Sequence, residues 1–303
     1  MKLDWFRDHA SAFSGALHFD EPLLKHTYYR IGGPAALIAV PKSIDDLRWL
    51  SEGIRQTQAP HFVLGAGSNL LASDQGYAGV AIKMTRLDLS IEMTSPGTVR
   101  TGASVAISSL LRRAGAEGWK GFEVWTGIPG SIGGAVAMNA GTHLGEAQAI
   151  AHEVEAFSLK TGELLKFSGN DLKFEYRKNL FLPEDSVVTG ASWKISLDDP
   201  AKIQAVISET LTRRKASQPI DYPSCGSVFK NPKSRGLHAW QVIERIGLRG
   251  HRIGDAEFSS KHCNFIINLD AAKSADVKAL IDLAKARARD LLGIELEEEV
   301  KYL

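Results

Sequence analysis

A chain of 303 residues, 44% hydrophobic and 23% charged, is long enough for two or three packed units with cores of their own. Its 36 basic and 35 acidic side chains leave a formal net charge of +1, which removes any general attraction to nucleic acid or to an anionic membrane surface. The two cysteines, Cys225 and Cys263, make no CxxC pair and no disulfide framework, and the charged start MKLDWFRDHA lacks the apolar run of a secretory signal, so a cytoplasmic protein is expected.

The first helix signal falls at 44–56. Ser43 is placed to cap it, Asp45 and Asp46 suit its first turn, and Ile44, Leu47, Leu50 and Ile54 share one face. HFVLG at 61–65 is a short apolar run stopped by glycine and reads as a strand, as does GVAIKM at 79–84. A second helix is predicted over 104–117, with Ile107, Leu110, Leu111 and Ala114 inward and Gly118 as its stop. Residues 124–142 carry no charge over nearly the length of a membrane-spanning helix, about 20 residues. Gly127, Pro129, Gly130, Gly133, Gly134 and Gly141 nevertheless break any such helix, so this backbone must turn or come close to something. Residues 152–159 and 187–195 read as strands of a later sheet, and SLDDPAK at 196–202 as a boundary. A helix over about 201–216, a short one within 236–247, a strand at 264–269 and a long amphipathic helix over 275–292 complete the chain. The class is α+β, divided at 1–83, 84–198 and 199–303.

Three regions could carry chemistry. In the stretch 63–82, Gly65-Ala66-Gly67 follows a strand like the start of a dinucleotide fingerprint, and Asp88 lies about 20 residues on, as that fingerprint asks. A Rossmann loop, however, opens a long helix. Here Ser73, Asp74, Gln75 and Gly76 interrupt after one turn. What remains is either a nest of backbone N–H groups, with Ser68 and Asn69 as further donors, suited to a pyrophosphate, or a plain strand-to-turn glycine pair. In TGIPGSIGGAVAMNAG, 126–141, the glycines leave backbone against which a flat cofactor could lie. A purely structural loop is the poorer reading, because long irregular loops in compact domains are usually functional. In YPSCGSVFKNP, 222–232, Cys225, Ser227 and Lys230 fall within six positions. No histidine neighbours Ser227 in sequence, and CGSVF lacks the second glycine of a G-x-S-x-G nucleophile turn. His262 stands beside Cys263, but no other His or Cys lies at metal-ligand spacing, so no metal is expected.

YRIGGPA (29–35), GAGSNLL (65–71), GIPGSIGGAVAMNAG (127–141), Tyr176-Arg177, GSVFKNP (226–232) and LEEEV (296–300) occur in the order seen in one family. From about Arg30 to Val300 the chain resembles the UDP-N-acetylenolpyruvoylglucosamine reductase (MurB) family. The resemblance implies an FAD-binding region of two subdomains, of the vanillyl-alcohol-oxidase type, followed by a C-terminal α+β domain that carries the substrate. It implies FAD, NADPH as the hydride source and UDP-N-acetylglucosamine enolpyruvate as the acceptor. The product would be UDP-N-acetylmuramate, a bacterial peptidoglycan precursor. The glycine segments contain no histidine or cysteine to which a flavin could be linked, so the FAD is expected to be non-covalent.

The same resemblance assigns residues. FAD would meet Tyr29, Arg30, Ile31 and Gly32; Gly65, Ala66, Gly67, Ser68, Asn69 and Leu70; and Thr126, Gly127, Pro129, Gly130, Ser131, Gly133, Gly134, Ala135, Asn139 and Gly141. Arg177 would stabilise the negative charge that builds on the substrate's carboxylate side, its fork of donors fitting a carboxylate. Ser227 would give the proton, acting as an acid and needing no histidine. Glu299 would assist the intermediate or the proton supply, and Tyr176, Lys230, Asn231, His262 and Asn264 would hold the substrate. Cys225 is left as a bystander.

The chain departs from the family in three places. The family's YRxS reads Tyr176-Arg177-Lys178-Asn179, so the serine's role passes to Asn179 or is lost. Only a short loop separates Arg177 from the strand at Val187, so this is a shorter form without the insertion that covers the substrate. The run Glu297 to Glu299 offers three acids, of which Glu299 directly precedes Val300, as in the family. Alternatives are an FAD oxidase of the same fold and a non-catalytic nucleotide-sugar binding module. The expected enzyme is a monomer acting on small molecules, with no nucleic-acid or membrane partner.

Overall fold

Ser43 begins the first long helix as its side chain requires: Oγ accepts from the Asp46 N–H at 3.1 Å, and the helix runs Ile44–Thr57. Glycines in the left-handed region end the helices Ile107–Glu117, at Gly118 (φ +68°), and Ser274–Leu292, at Gly293 (φ +62°). The structure is a computed structural model that describes residues 3–232 and 236–303. Its contacts group into two units, the first made of residues 1–19, 36–66 and 78–212, the second of 20–35, 67–77 and 213–303.

The first unit holds two cores. One gathers Phe6, Leu37, Leu47, Leu50, Val80 and Ile82 between the helix Ile44–Thr57 and a sheet whose strands run in the order Ala16–Pro22, Pro34–Val40, Tyr77–Lys83, His61–Leu64. The last two are parallel, with Val63 opposite Ile82. The other core lies against a five-stranded antiparallel sheet in the order Leu164–Ser168, Ala151–Ser158, Ser186–Lys194, Thr98–Gly102, Ile91–Ser95. Trp125 and Trp193 meet there edge to face, ring centres 4.8 Å apart, and the Trp193 indole N–H donates to Thr101 Oγ1.

The second unit is built around the helix Ser274–Leu292, whose Val277, Leu280, Ile281, Ala284 and Ala288 pack into one core with the small sheet Arg252–Ile253, Ala256–Phe258, Ile266–Asn268. Two early segments join it. Leu70–Leu71 pairs in parallel with Lys301–Tyr302, and the Asn268 side chain donates to the Tyr29 carbonyl at 3.0 Å.

Several expected boundaries shift. The helix expected from 104 starts at Ile107, because Val105 and Ala106 are engaged elsewhere: the Ile132 N–H donates to the Val105 carbonyl, and Ala106 bridges Ser131. The strand expected at 264–269 is confined to Ile266–Asn268. The strands Ala16–Pro22, Pro34–Val40, Ile91–Ser95, Thr98–Gly102 and Leu164–Ser168 were not legible in the sequence, and a short helix, Ile132–Ala137, stands inside the glycine-rich segment. Among the described residues no helix is long and apolar enough to cross a membrane.

Candidate active site

In the first unit, Gly127 (φ +77°) and Gly130 (φ +138°) take conformations that side chains resist. The turn they make leads into the helix Ile132–Ala137, anchored where the Gly133 N–H donates to the Ala103 carbonyl. Ser131 Oγ lies 3.2 Å from where a Cβ on Gly65 would stand, so these two glycine motifs meet. The Thr126 hydroxyl is buried with no protein partner. A buried orphan hydroxyl beside close-packed glycine backbone is what a large polar cofactor would complete, and the segment fits FAD in that sense.

Other glycines answer to the chain itself. A Cβ on Gly141 would stand 2.2 Å from the Gly145 carbonyl oxygen, and one on Gly67, in the second unit, 2.3 Å from that of His26. Gly32 would meet Ala72 and Leu23 side chains below 3.0 Å. For these three, glycine permits the chain's own close approach. Asp88 likewise serves the protein: it pairs with Arg100 at 2.9 Å, and Arg100 holds Glu155 at 2.6 Å.

Arg177 stands at the second position of the two-residue turn of a hairpin, Phe174–Glu175 with Lys178–Asn179. Its φ is +59°, an uncommon conformation for a non-glycine residue and one that concentrates at functional sites. Its guanidinium lies 5.0 Å from the Tyr176 ring centre, donates to the Gly141 carbonyl at 3.2 Å and faces Glu146 at 3.9 Å. Asn179, which stands where the family has serine, ties the hairpin down by donating to the Ala137 carbonyl at 2.8 Å. Asn139 is bonded to protein. Fully buried at φ +42°, its amide donates to Glu146 and to the Glu175 carbonyl, and its oxygen accepts from the Gln148 N–H. That side chain has its bonds to protein and serves the Arg177 hairpin.

In the second unit, the segment 228–230 lies between two others. The Glu299 N–H donates to the Val228 carbonyl at 2.8 Å, the Lys230 N–H to that of Glu297, and Phe229 bridges Glu298. Ser227 and Glu299 are thereby on adjoining extended segments. The three glutamates separate by partner: Glu297 pairs with Lys230, Glu298 with Lys285 at 2.7 Å, and Glu299 is near enough to Cys225 for its charge to act on the thiol. Burial chiefly, and Glu299 in addition, push that thiol up to about 12. Burial of this kind favours the protonated thiol at neutral pH. The fully buried Tyr29 hydroxyl lies against it and is pushed well above the usual tyrosine range, mainly by burial.

Two of the amides expected to hold the substrate have protein partners here. Asn264 is buried, 4% exposed, with its oxygen accepting from the Phe229 N–H at 3.0 Å and its amide donating to the Phe229 carbonyl at 2.9 Å. It clamps the segment that follows Ser227. Asn231 Oδ1 accepts from the Ala239 N–H at 3.0 Å, at the start of the helix Ala239–Arg245. Asn69 gives one amide N–H to the Glu299 carbonyl at 3.0 Å, and the side chains of Tyr29 and Ile31 are in the hydrophobic core. Arg214 and Gln218 were missed by the sequence reading. Arg214 Nε, Gln218 Oε1 and His262 Nδ1 are buried without a protein partner. Burial chiefly, then the charges of Arg249 and Arg214, lower the His262 pKa. Orphaned polar atoms of this kind need a ligand or water. The only sequence signal for Arg214 was the Arg213-Arg214-Lys215 run at the end of a helix, which reads equally well as a solvated face.

The chain is similar to known proteins over nearly its whole length. Residues 218–303 match the model of the UDP-N-acetylenolpyruvoylglucosamine reductase C-terminal domain, and residues 35–168 that of an FAD binding domain. The UDP-N-acetylenolpyruvoylglucosamine reductase of Syntrophomonas wolfei is 38% identical over 287 residues, 95% of each chain. That of Trichlorobacter lovleyi is 39% identical over 301 residues, 99% of this chain and 95% of its own. The crystal structure of the reductase from Thermus caldophilus matches with a TM-score of 0.80 at 33% identity, covering 95% of this chain and 98% of that one. A glucose dehydrogenase, Phl p 4.0202, matches at a TM-score of 0.52 and 13% identity, a likeness of fold alone. The α+β class and the FAD-binding architecture of the vanillyl-alcohol-oxidase type are those expected.

Proposed function

The chain belongs to the UDP-N-acetylenolpyruvoylglucosamine reductase family, and on that premise we propose that it reduces UDP-N-acetylglucosamine enolpyruvate to UDP-N-acetylmuramate with NADPH, in peptidoglycan precursor synthesis. Bound FAD supplies the hydride-carrying chemistry between the two. The observation that carries the reading is the pairing of 228–230 with 297–299, which sets a serine and a glutamate of the family's motifs on adjoining segments. Ser227 holds the proton for the substrate carbon, and Glu299 assists its delivery. Arg177 takes the substrate carboxylate with its planar fork and stabilises the charge that develops there. Tyr176, Lys230 and His262 bind the rest of the substrate, with Arg214 and Gln218 added from the structure. Lys230 exchanges its pairing with Glu297 for the ligand. Backbone N–H groups within 65–68, with those of Gly127, Gly130, Ser131 and Gly134, hold the FAD without a covalent bond.

The division at 1–83, 84–198 and 199–303 is kept as the proposed assignment of two FAD-binding subdomains and a substrate domain. The protein works as a cytoplasmic monomer on soluble small molecules. Anaerobic NADPH should bleach the flavin absorbance of the purified holoprotein, and UDP-N-acetylglucosamine enolpyruvate should restore it. Flavin that NADPH does not bleach, or that only oxygen restores, would refute the reading.

A further inference from the structure

Arg177 sits at the tip of a two-residue turn, its guanidinium 5.0 Å from the ring centre of its neighbour Tyr176. The segment 139–148 supplies further contacts that orient it. Gly141–Thr142 and Gly145–Glu146 form a tight antiparallel pair with Glu146 opposite Gly141. The Gly141 carbonyl accepts from Arg177 Nη2 at 3.2 Å, and Glu146 Oε1 lies 3.9 Å from Nη1. The other Glu146 oxygen, Oε2, is held by the amides of Asn139 at 2.9 Å and Gln148 at 3.2 Å. One oxygen is therefore anchored and the other directed at the guanidinium. Both side chains are only about a fifth exposed, 20% and 21%, so solvent screens the pair weakly. A separation of 3.9 Å exceeds a hydrogen bond, so Glu146 orients the guanidinium by charge.

We propose that Glu146 is a positioning residue for Arg177: held by Asn139 and Gln148, its carboxylate sets the direction in which the guanidinium meets the carboxylate of the substrate. The proposal rests on the reading of Arg177 given above. It has a signature that simple structural support lacks. A negative charge beside Arg177 opposes ground-state binding of an anionic substrate. Removing that charge leaves binding as strong or stronger, while the guanidinium loses its alignment.

The test is Glu146→Gln, which removes the charge and keeps an oxygen for Asn139 and Gln148. The expected result is a fall in kcat of about tenfold to a hundredfold, the range for a catalytic group slightly misplaced. KM for the enolpyruvyl substrate should be unchanged or lower, and FAD reduction by NADPH should keep its rate. In an Arg177→Lys background, Glu146→Gln should cost nothing further. An unchanged kcat, a KM that rises as kcat falls, or losses that multiply with Arg177→Lys would overturn the proposal. Should Glu146→Gln fail to retain FAD, Gln148→Ala, at an exposed residue, carries the same test: a smaller fall in kcat with the same split and none in the Arg177→Lys background. If Arg177→Lys itself turns over normally, the reading of Arg177 fails. If it is impaired while both other variants behave as wild type, only the role of Glu146 fails.

Discussion

Replacing Asn264 by alanine separates a clamp from a ligand contact. The side chain holds both backbone groups of Phe229, a residue 1% exposed, so its removal leaves a buried N–H and a buried carbonyl without partners. Each such orphan costs about 1–3 kcal/mol, and water entering the vacated space offsets part of that. The expected destabilisation is about 2–4 kcal/mol, a large share of a typical folding stability of about 5–15 kcal/mol. The Val228 N–H bond to the Asn264 carbonyl is main chain and survives. Asn264→Asp sharpens the test. It keeps an acceptor for the Phe229 N–H but sets a second carboxylate oxygen against the Phe229 carbonyl. The introduced carboxyl should therefore titrate higher in the folded than in the unfolded protein. Stability is then retained at low pH, where the carboxyl donates to the carbonyl, and is lost as pH rises through its folded pKa. Urea denaturation of the holoprotein followed by far-UV circular dichroism, at pH 5 and pH 7.5, measures both variants. Turnover should fall in Asn264→Ala, because Ser227 lies two residues from the released backbone. A KM for the enolpyruvyl substrate raised more than about tenfold, with an unchanged urea midpoint, would show that Asn264 binds ligand and that the clamp argument is wrong.

Ser227→Ala should bleach with NADPH at a near-normal rate in anaerobic stopped flow yet lose roughly 10² to 10⁴-fold in turnover, the range for a positioned general acid, with Ser227→Cys recovering part; equal slowing of both half-reactions would make the serine a binding residue. Cys225, with its thiol pushed up to about 12, contributes stability that is complete below about pH 9 and lost as pH rises toward 12. Cys225→Ala should flatten that alkaline loss in thermal melts and keep most activity. The lowered pKa of His262 works in the other direction: the folded protein holds it neutral, so stability falls as pH drops below about 6.5. His262→Asn should reduce that acid-side slope of Tm, and an unchanged slope would place the cause elsewhere.

Much of the helical structure was legible because its signals act within a turn or two. Ser43 caps the helix it precedes, and Gly118 and Gly293 end theirs, for reasons of local hydrogen bonding and φ. The strands at 16–22, 34–40, 91–102 and 164–168 escaped notice because a strand is completed by partners that lie far off in sequence.

The site divides along the same line. The order of motifs along the chain was enough to point to the flavin segments, Arg177, Ser227 and a C-terminal glutamate, since side-chain type and sequence order survive without coordinates. Pairing gives Glu297 to Lys230 and Glu298 to Lys285, and brings the Glu299 N–H to the carbonyl of Val228, next to Ser227 in sequence. The protein partners of the polar amides were set in the same way. Asn139, Asn231 and Asn264 have the chemistry of ligand donors in any sequence. An amide has few hydrogen bonds to give, however, and buried backbone groups must be satisfied first. Here the backbone groups they meet belong to Glu175, Ala239 and Phe229, and only the folded chain brings them within reach.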